Sequence, residues 1–75
     1  MSIKIRYFAS LKERLGRSED NFNESGLSTG EIWQKVTQQS LPDNVLIAVN
    51  MEYADKDYIV QDGDELAFFP PVTGG

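Results

Sequence analysis

The 75-residue sequence contains no cysteine and no histidine. Thiolate nucleophiles, imidazole bases and most zinc sites need one of these two residues, so all three kinds of chemistry are excluded. Disulfide bonds cannot stabilise the fold either. The acidic side chains lack the ligand spacing of a calcium loop, and Asp62-Gly63-Asp64 is typical of a tight turn, so we predict no bound metal.

Basic residues and long apolar segments are also scarce. The chain has 7 lysines and arginines against 12 acidic residues, a net charge of −5, which disfavours nucleic-acid binding. No apolar run is long enough to span a membrane, and Lys4 and Arg6 interrupt the early stretch that a signal peptide would need. These two features lead us to expect a cytoplasmic protein. Because 40% of its residues are hydrophobic, we expect one small folded domain.

The first part of the chain contains a strand, a short helix and a weaker strand. Residues 3–8 alternate between apolar and polar until the last of them, Phe8, which predicts a strand with the inward side chains Ile3, Ile5 and Tyr7. Ser10 and Glu13 have the spacing of a capping box, and Gly16 is a favourable end for the helix that follows. Residues 18–24 are a candidate edge strand.

A second capping box, formed by Ser28 and Glu31, predicts the main helix, which should continue to about Gln39. The apolar run at 46–49 is typical of a strand buried on both faces, and residues 50–53 predict a further brief strand. The last strand should cover residues 65–69 and end before a proline pair that cannot continue it.

These elements predict an α+β domain in which a small mixed sheet packs on one main helix. If the first and last strands are parallel neighbours at the centre of the sheet, with the main helix crossing over them, the topology is a β-grasp. We assign residues 1–69 to this domain and residues 70–75 to a flexible C-terminal tail that ends in Gly-Gly.

Two aromatic side chains are predicted on the outer face of the sheet. Phe8 follows the outward residues of the first strand, and Phe69 points outward if Leu66 and Phe68 face the helix. In a β-grasp sheet Phe8 and Phe69 would be neighbours, with Tyr53 at their border, and such an exposed patch indicates a docking surface. The alternative is that these rings belong to the core, because a bulge can reverse the alternation. We expect Lys4 and Arg6 to be solvated.

The C-terminal residues combine a stiff approach with an end that has no side chains. Six residues from Pro70 reach at most roughly 20 Å when fully extended. Gly74 and Gly75 can pass through a channel too narrow for larger residues. We therefore predict that the reactive group is the terminal carboxylate of Gly75. Simple fraying of a chain end is the alternative.

Residues 62–65 and 68–75 closely resemble the C-terminal signature of the small subunit of molybdopterin synthase, the sulfur-carrier family of molybdenum cofactor biosynthesis. The resemblance extends over essentially the whole chain and is weakest between Arg17 and Gly26. It implies a ubiquitin-like β-grasp fold.

The resemblance also implies a reaction cycle. An activating enzyme uses ATP and magnesium to adenylate the carboxylate of Gly75, and a sulfur donor converts the adenylate into a thiocarboxylate. The tail then enters the large synthase subunit, where Gly74 leaves room around the carbonyl, and sulfur passes to cyclic pyranopterin monophosphate to form the molybdopterin dithiolene. The catalytic side chains are expected on the large subunit, so this chain would donate sulfur without a permanently bound cofactor. The residues expected to bind partners are Phe8, Tyr53, Phe69, Pro70, Pro71, Val72 and Thr73.

Three other functions fit the same features. Sulfur carriers in thiamine synthesis or tRNA thiolation share the Gly-Gly end, although the approach at residues 69–73 favours the molybdopterin branch. A ubiquitin-like modifier would be attached to lysines through Gly75. A plain binding module would use the aromatic patch and not the tail.

Overall fold

The computed structural model describes residues 2–71, which form seven strands and two helices. In chain order they are β1 (Ile3–Tyr7), α1 (Ala9–Leu15), β2 (Glu19–Phe22), β3 (Leu27–Ser28), α2 (Thr29–Thr37), β4 (Leu46–Val49), β5 (Glu52–Ala54), β6 (Ile59–Val60) and β7 (Glu65–Phe69). Among these residues, neither helix has the length and apolar character needed to cross a bilayer.

Five strands form one mixed sheet in the order β2-β1-β7-β4-β5. The first and last strands, β1 and β7, are parallel neighbours at its centre, and every other pair is antiparallel. The strands β3 and β6 form a separate two-stranded ribbon beside it. Because α2 lies in the connection between the parallel strands, this is the β-grasp topology that the sequence predicted.

One face of the sheet supplies the core. Ile3, Ile5 and Tyr7 of β1 are buried, as their alternation predicted, and Leu66 and Phe68 of β7 are fully buried beside them. The rings of α2 and β7 meet directly, since the centroid of Trp33 lies 4.8 Å from that of Phe68 in an edge-on arrangement. The helix therefore covers the inner face and leaves the outer face of the sheet open.

The capping box predicted for α2 is confirmed. The Ser28 hydroxyl accepts a hydrogen bond from the Glu31 amide at 3.1 Å, and the Ser28 amide donates to the Glu31 carboxylate at 3.0 Å. The amide and hydroxyl of Ser28 together hold the pKa of Glu31 below its usual value. The helix ends at Thr37, two residues before the predicted end, because Gln38 adopts a left-handed conformation.

The capping box predicted for α1 is wrong. The helix begins at Ala9, its N-cap is Phe8, and no side chain caps it. The reason is that the Phe8 amide donates to the Phe68 carbonyl at 3.2 Å, which holds Phe8 extended beside β7 and starts the helix before Ser10 can act as a cap. The predicted end at Gly16 is confirmed, with φ of 73°.

Three further details of the strands differ from the prediction. Leu46 is 37% exposed, so β4 is not buried on both faces along its whole length. The β5 strand begins at Glu52, because the two residues before it form a turn. The short strands β3 and β6 were not predicted. The edge position of β2 and the turn at residues 62–64 are confirmed.

An aromatic groove as candidate functional site

The open face of the sheet has small side chains at its centre. Ala67 of β7 pairs with Arg6 on one side and with Ala48 on the other, and Ala48 in turn pairs with Tyr53. Side chains at paired positions of adjacent strands lie on the same face. Two alanines between longer side chains therefore leave a depression along the middle of the sheet.

This depression, which we call the aromatic groove, has a volume of about 400 Å³. It is lined by Arg6, Phe8, Ala48, Met51, Tyr53, Glu65, Ala67 and Phe69. Most of the lining is hydrocarbon, and the groove is open to solvent, so it suits a partner's side chains better than an enclosed small molecule.

Phe8 and Phe69 form one wall of the groove. Their rings are stacked, with centroids 4.7 Å apart and planes within 10° of each other. Phe8 remains 38% exposed, although it is held by the backbone hydrogen bond to Phe68 described above. The structure thus confirms that these two rings are neighbours on the outer face, and the alternative that both belong to the core is wrong.

The opposite wall comes from β5 and the turn before it. Tyr53, which the sequence placed at the border of the patch, is 80% exposed and lines the groove. Met51 lines it as well and is 93% exposed, yet sequence reasoning missed it. A signal was available, because Asn50-Met51 lies between two strand-like segments and Asn is favoured at the first position of a tight hairpin turn.

Arg6 and Glu65 form an ion pair beside the alanine floor, with the Nε and Oε1 atoms 3.8 Å apart. Both side chains are about half exposed, so the pair adds at most about 1 kcal/mol to stability. Arg6 was expected only to be solvated, whereas here it also lines the groove. The groove therefore offers a partner one cation and one anion next to its apolar floor.

The strand that forms this floor leads straight into the tail. Pro70 and Pro71 follow β7, the first partly buried and the second exposed, next to Phe69 in the groove wall. The other predicted tail residues lie outside the described residues: Val72, Thr73, Gly74 and Gly75. Any role of residues 70–75 in sulfur transfer therefore stays a prediction.

One polar cluster lies at the side of the core. The Tyr7 hydroxyl donates to Asp20 at 2.9 Å, and Arg17 donates to Asp20 at 2.5 Å and to the Val36 carbonyl at 2.7 Å. Burial, with help from Asp20, raises the pKa of Tyr7 to about 12. Tyr7 is therefore neutral at physiological pH. Its hydrogen bond to Asp20 links β1 to β2, and the hydrogen bonds of Arg17 link Asp20 to the last turn of α2.

Within residues 2–71, no three acidic side chains are grouped closely enough to hold a metal ion.

The parallel central strands, the crossing helix and the last strand that runs from an exposed groove into a tail define a β-grasp domain of the ubiquitin-like class. The ThiS family model matches residues 5–75, and the chain belongs to the ThiS family.

A curated relative and two solved structures show how far the similarity extends. The chain is 36% identical to the molybdopterin synthase sulfur carrier subunit of Escherichia coli (strain K12), over 97% of this chain and 99% of the relative. SAMP1 from Haloferax volcanii superimposes with a TM-score of 0.80 and 26% identity over the full length of both chains. A complex of subunits 1 and 2 of the molybdopterin-converting factor from Helicobacter pylori contains a chain that matches with a TM-score of 0.68 and 20% identity, again over both full lengths.

Proposed function

We propose that this chain is the sulfur carrier of a molybdopterin synthase. The observation that carries the proposal is the 36% identity to a sulfur carrier subunit over nearly all of both chains. The family match continues to residue 75, so it includes the glycine whose carboxylate would hold the sulfur.

The proposed chemistry needs an activated carboxyl group. A carboxylate resists nucleophiles because it is negatively charged and its oxygen leaves poorly. An activating enzyme with ATP and magnesium joins the Gly75 carboxylate to AMP and releases pyrophosphate. Sulfide supplied by a donor then attacks the acyl carbon, displaces AMP and releases a proton, which leaves a thiocarboxylate. Two such carriers in succession would supply the two sulfurs of the molybdopterin dithiolene.

The large subunit of the synthase is the proposed partner, and the aromatic groove is the proposed contact surface. The Helicobacter pylori structure, which contains subunits 1 and 2 together, supports such an assembly. Six residues from Pro70 span at most roughly 20 Å, so a partner that acts on Gly75 must sit close to the end of β7. Phe8 and Phe69 lie at that end. The chain has no cysteine or histidine, which supports placing the catalytic side chains on the partner.

Intact-mass analysis tests the first half of the proposal. The purified chain is incubated with its activating enzyme, ATP, magnesium and a sulfur donor. We expect a product in which one oxygen is replaced by sulfur, and fragmentation should place the change at Gly75. A chain that is never adenylated under these conditions would contradict the proposal.

The acceptor tests the second half. The thiocarboxylated chain is mixed with the large subunit and cyclic pyranopterin monophosphate, and molybdopterin formation is measured. In parallel, the same chain is offered a thiazole precursor with its own synthase, and tRNA with its own thiolating enzyme. We expect transfer only to the pyranopterin. Sulfur in either other acceptor would assign the chain to that pathway instead.

A ubiquitin-like protein modifier is the second candidate, because SAMP1, the small archaeal modifier protein 1, shares the fold and is 26% identical in sequence. The two functions leave different covalent products. A modifier accumulates in cells as larger adducts joined through Gly75 to lysines, whereas a carrier accumulates as a free chain with a thiocarboxylate. Gel separation and mass analysis of the tagged chain from cells distinguish the two.

A further inference from the structure

The turn between β4 and β5 places a large side chain where glycine is favoured. Val49 pairs with Glu52, so the hairpin has a two-residue loop, Asn50-Met51. Both residues have positive φ, 52° and 70°, which is the type I′ geometry. Asn tolerates the left-handed region because its short polar side chain can hydrogen-bond to nearby backbone. Met cannot do this, so the left-handed conformation is strained at Met51, and Asn-Gly is the preferred pair for such a turn.

Hydrogen bonds hold this strained turn in a fixed position. The Asn50 amide donates to the Glu65 carbonyl at 2.8 Å, and the Asn50 side-chain carbonyl accepts from the Glu65 amide at 3.0 Å. The Asn50 side-chain amide also donates to Asp64 at 3.0 Å. The turn is therefore attached to the start of β7, the strand that ends at Phe69.

The Met51 side chain gains little from its own domain. It is 93% exposed, so it buries almost no apolar surface to offset the strained backbone. Yet it lines the aromatic groove opposite the Phe8–Phe69 wall. A flexible thioether on a fixed backbone is well suited to fill an irregular apolar pocket in another protein.

The occupant follows from the reach of the tail. Residues 72–75 extend at most about 14 Å beyond Pro71, so a protein that acts on Gly75 must stand at the Phe69 end of the groove. The groove continues from that end to Met51 without leaving the open face of the sheet. We propose that Met51 is an anchor for the large subunit of molybdopterin synthase and inserts into an apolar pocket on it. This inference rests on the proposed function and adds to it a contact residue on the turn.

Affinity and thermal stability are measured for three variants of the full chain. Met51→Ala removes the side chain and keeps the strain. Met51→Gly removes both. Gln38→Gly is the matched control, because Gln38 is also an exposed residue with positive φ, 60°, but lies at the end of α2 and does not line the groove.

We expect both Met51 variants to bind the large subunit about 5- to 50-fold more weakly, as anchors at interfaces do. We expect Met51→Gly and Gln38→Gly to raise the Tm, because glycine relieves the strain, and Gln38→Gly to leave affinity unchanged. A residue with a purely structural role would not lose affinity while gaining stability.

Three outcomes would overturn the inference. If the wild-type chain binds and Met51→Ala binds equally well, the anchor is refuted and the proposed function stands. If the wild-type chain self-associates and Met51→Ala abolishes only that, the residue serves a homodimer. If the wild-type thiocarboxylate does not bind the large subunit at all, the proposed function fails and the inference fails with it.

Discussion

Ala48 and Ala67 determine the shape of the candidate site as much as the aromatic residues do. They occupy paired positions on the adjacent strands β4 and β7, on the open face, and their small size gives the groove its depth. The stacked rings of Phe8 and Phe69 then form a wall that stays partly exposed. An exposed aromatic pair beside an apolar floor is the pattern of an interface hot spot.

Phe69→Ala is predicted to weaken binding to the large subunit by about 1–3 kcal/mol, because in the proposed assembly the ring is part of the contact surface, and it also stacks on Phe8. The matched control is Tyr58→Ala, which removes another exposed aromatic ring that does not line the groove. Titration calorimetry with the purified large subunit measures both. Equal affinities for Phe69→Ala and the wild type would exclude Phe69 from the interface.

Tyr7 makes stability depend on pH in the alkaline range. Its pKa is about 12 in the fold, against 10.0 for an ordinary tyrosine, because burial disfavours the phenolate. Between these values the unfolded chain has released the proton and the folded chain keeps it, so the free energy of unfolding should fall as pH rises, by at most about 1.4 kcal/mol per pH unit. Below pH 10 this contribution is constant.

Urea denaturation at several pH values between 10 and 12 measures this slope. Tyr7→Phe removes the titrating hydroxyl and keeps the ring, so its stability should fall less steeply over the same range than that of the wild type. The variant also leaves Asp20 without the Tyr7 donor, which should make it less stable near neutral pH. Parallel slopes for the two proteins would contradict the assignment.

At the scale of elements, the first residue of each helix is determined by where the pairing of the preceding strand ends. The α2 helix follows β3, and its capping serine is the last residue of that strand. The α1 helix follows β1, but the ladder to β7 continues one residue further and makes Phe8 the N-cap. Two similar capping patterns in the sequence therefore have different outcomes, because tertiary hydrogen bonds decide which one is used.

Ser28→Ala and Ser10→Ala apply the same substitution to these two patterns. Ser28→Ala is predicted to lower the free energy of unfolding by about 1 kcal/mol, because it removes the acceptor for the Glu31 amide. Ser10→Ala should be neutral or slightly stabilising, since Ser10 caps nothing and alanine favours helix. Chemical denaturation measures both. An equal loss in the two variants would mean that Ser10 caps α1 after all.

The sequence predicted the elements whose signals are local. The alternation in β1 predicted which face of the sheet enters the core. The capping box at Ser28 predicted the start of the main helix, and the proline pair predicted the end of β7. Strands β3 and β6 have only two residues each, too few to show a period. The cluster of Tyr7, Asp20 and Arg17 was missed because it joins segments that are distant in the chain. Met51 was missed although the Asn50-Met51 turn carried a local signal.

At the scale of the whole molecule, the proposed function assigns partner recognition and sulfur transfer to different parts of the chain. The domain supplies a groove on the open face of its sheet, and β7, which forms part of the floor and wall of that groove, is followed in the sequence by the residues that would carry sulfur. A rigid origin for the tail reduces the entropy lost when its end enters a partner. The distance from the groove to the terminal carboxyl then becomes the quantity that the partner's active site must match.

Deleting Gly75 tests this match. The terminal carboxyl moves back by about 3.5 Å, the length of one extended residue. Because a displacement of about 1 Å can reduce a rate about 100-fold, we predict that sulfur transfer to cyclic pyranopterin monophosphate becomes undetectable. Tm and affinity for the large subunit should stay unchanged, since the groove is intact.

A variant with one extra glycine after Gly75 is the matched control. It keeps Gly74 and Gly75 and moves the terminal carboxyl about 3.5 Å in the other direction, so it should also lose transfer while binding normally. Single-turnover assays of molybdopterin formation, alongside calorimetry, measure both variants. If the deletion retained full transfer, the carboxyl of Gly75 could not be the group that carries sulfur. If the longer chain were active and the shorter chain inactive, the tail would need only a minimum length, and the prediction of a fixed distance between the groove and the terminal carboxyl would be wrong.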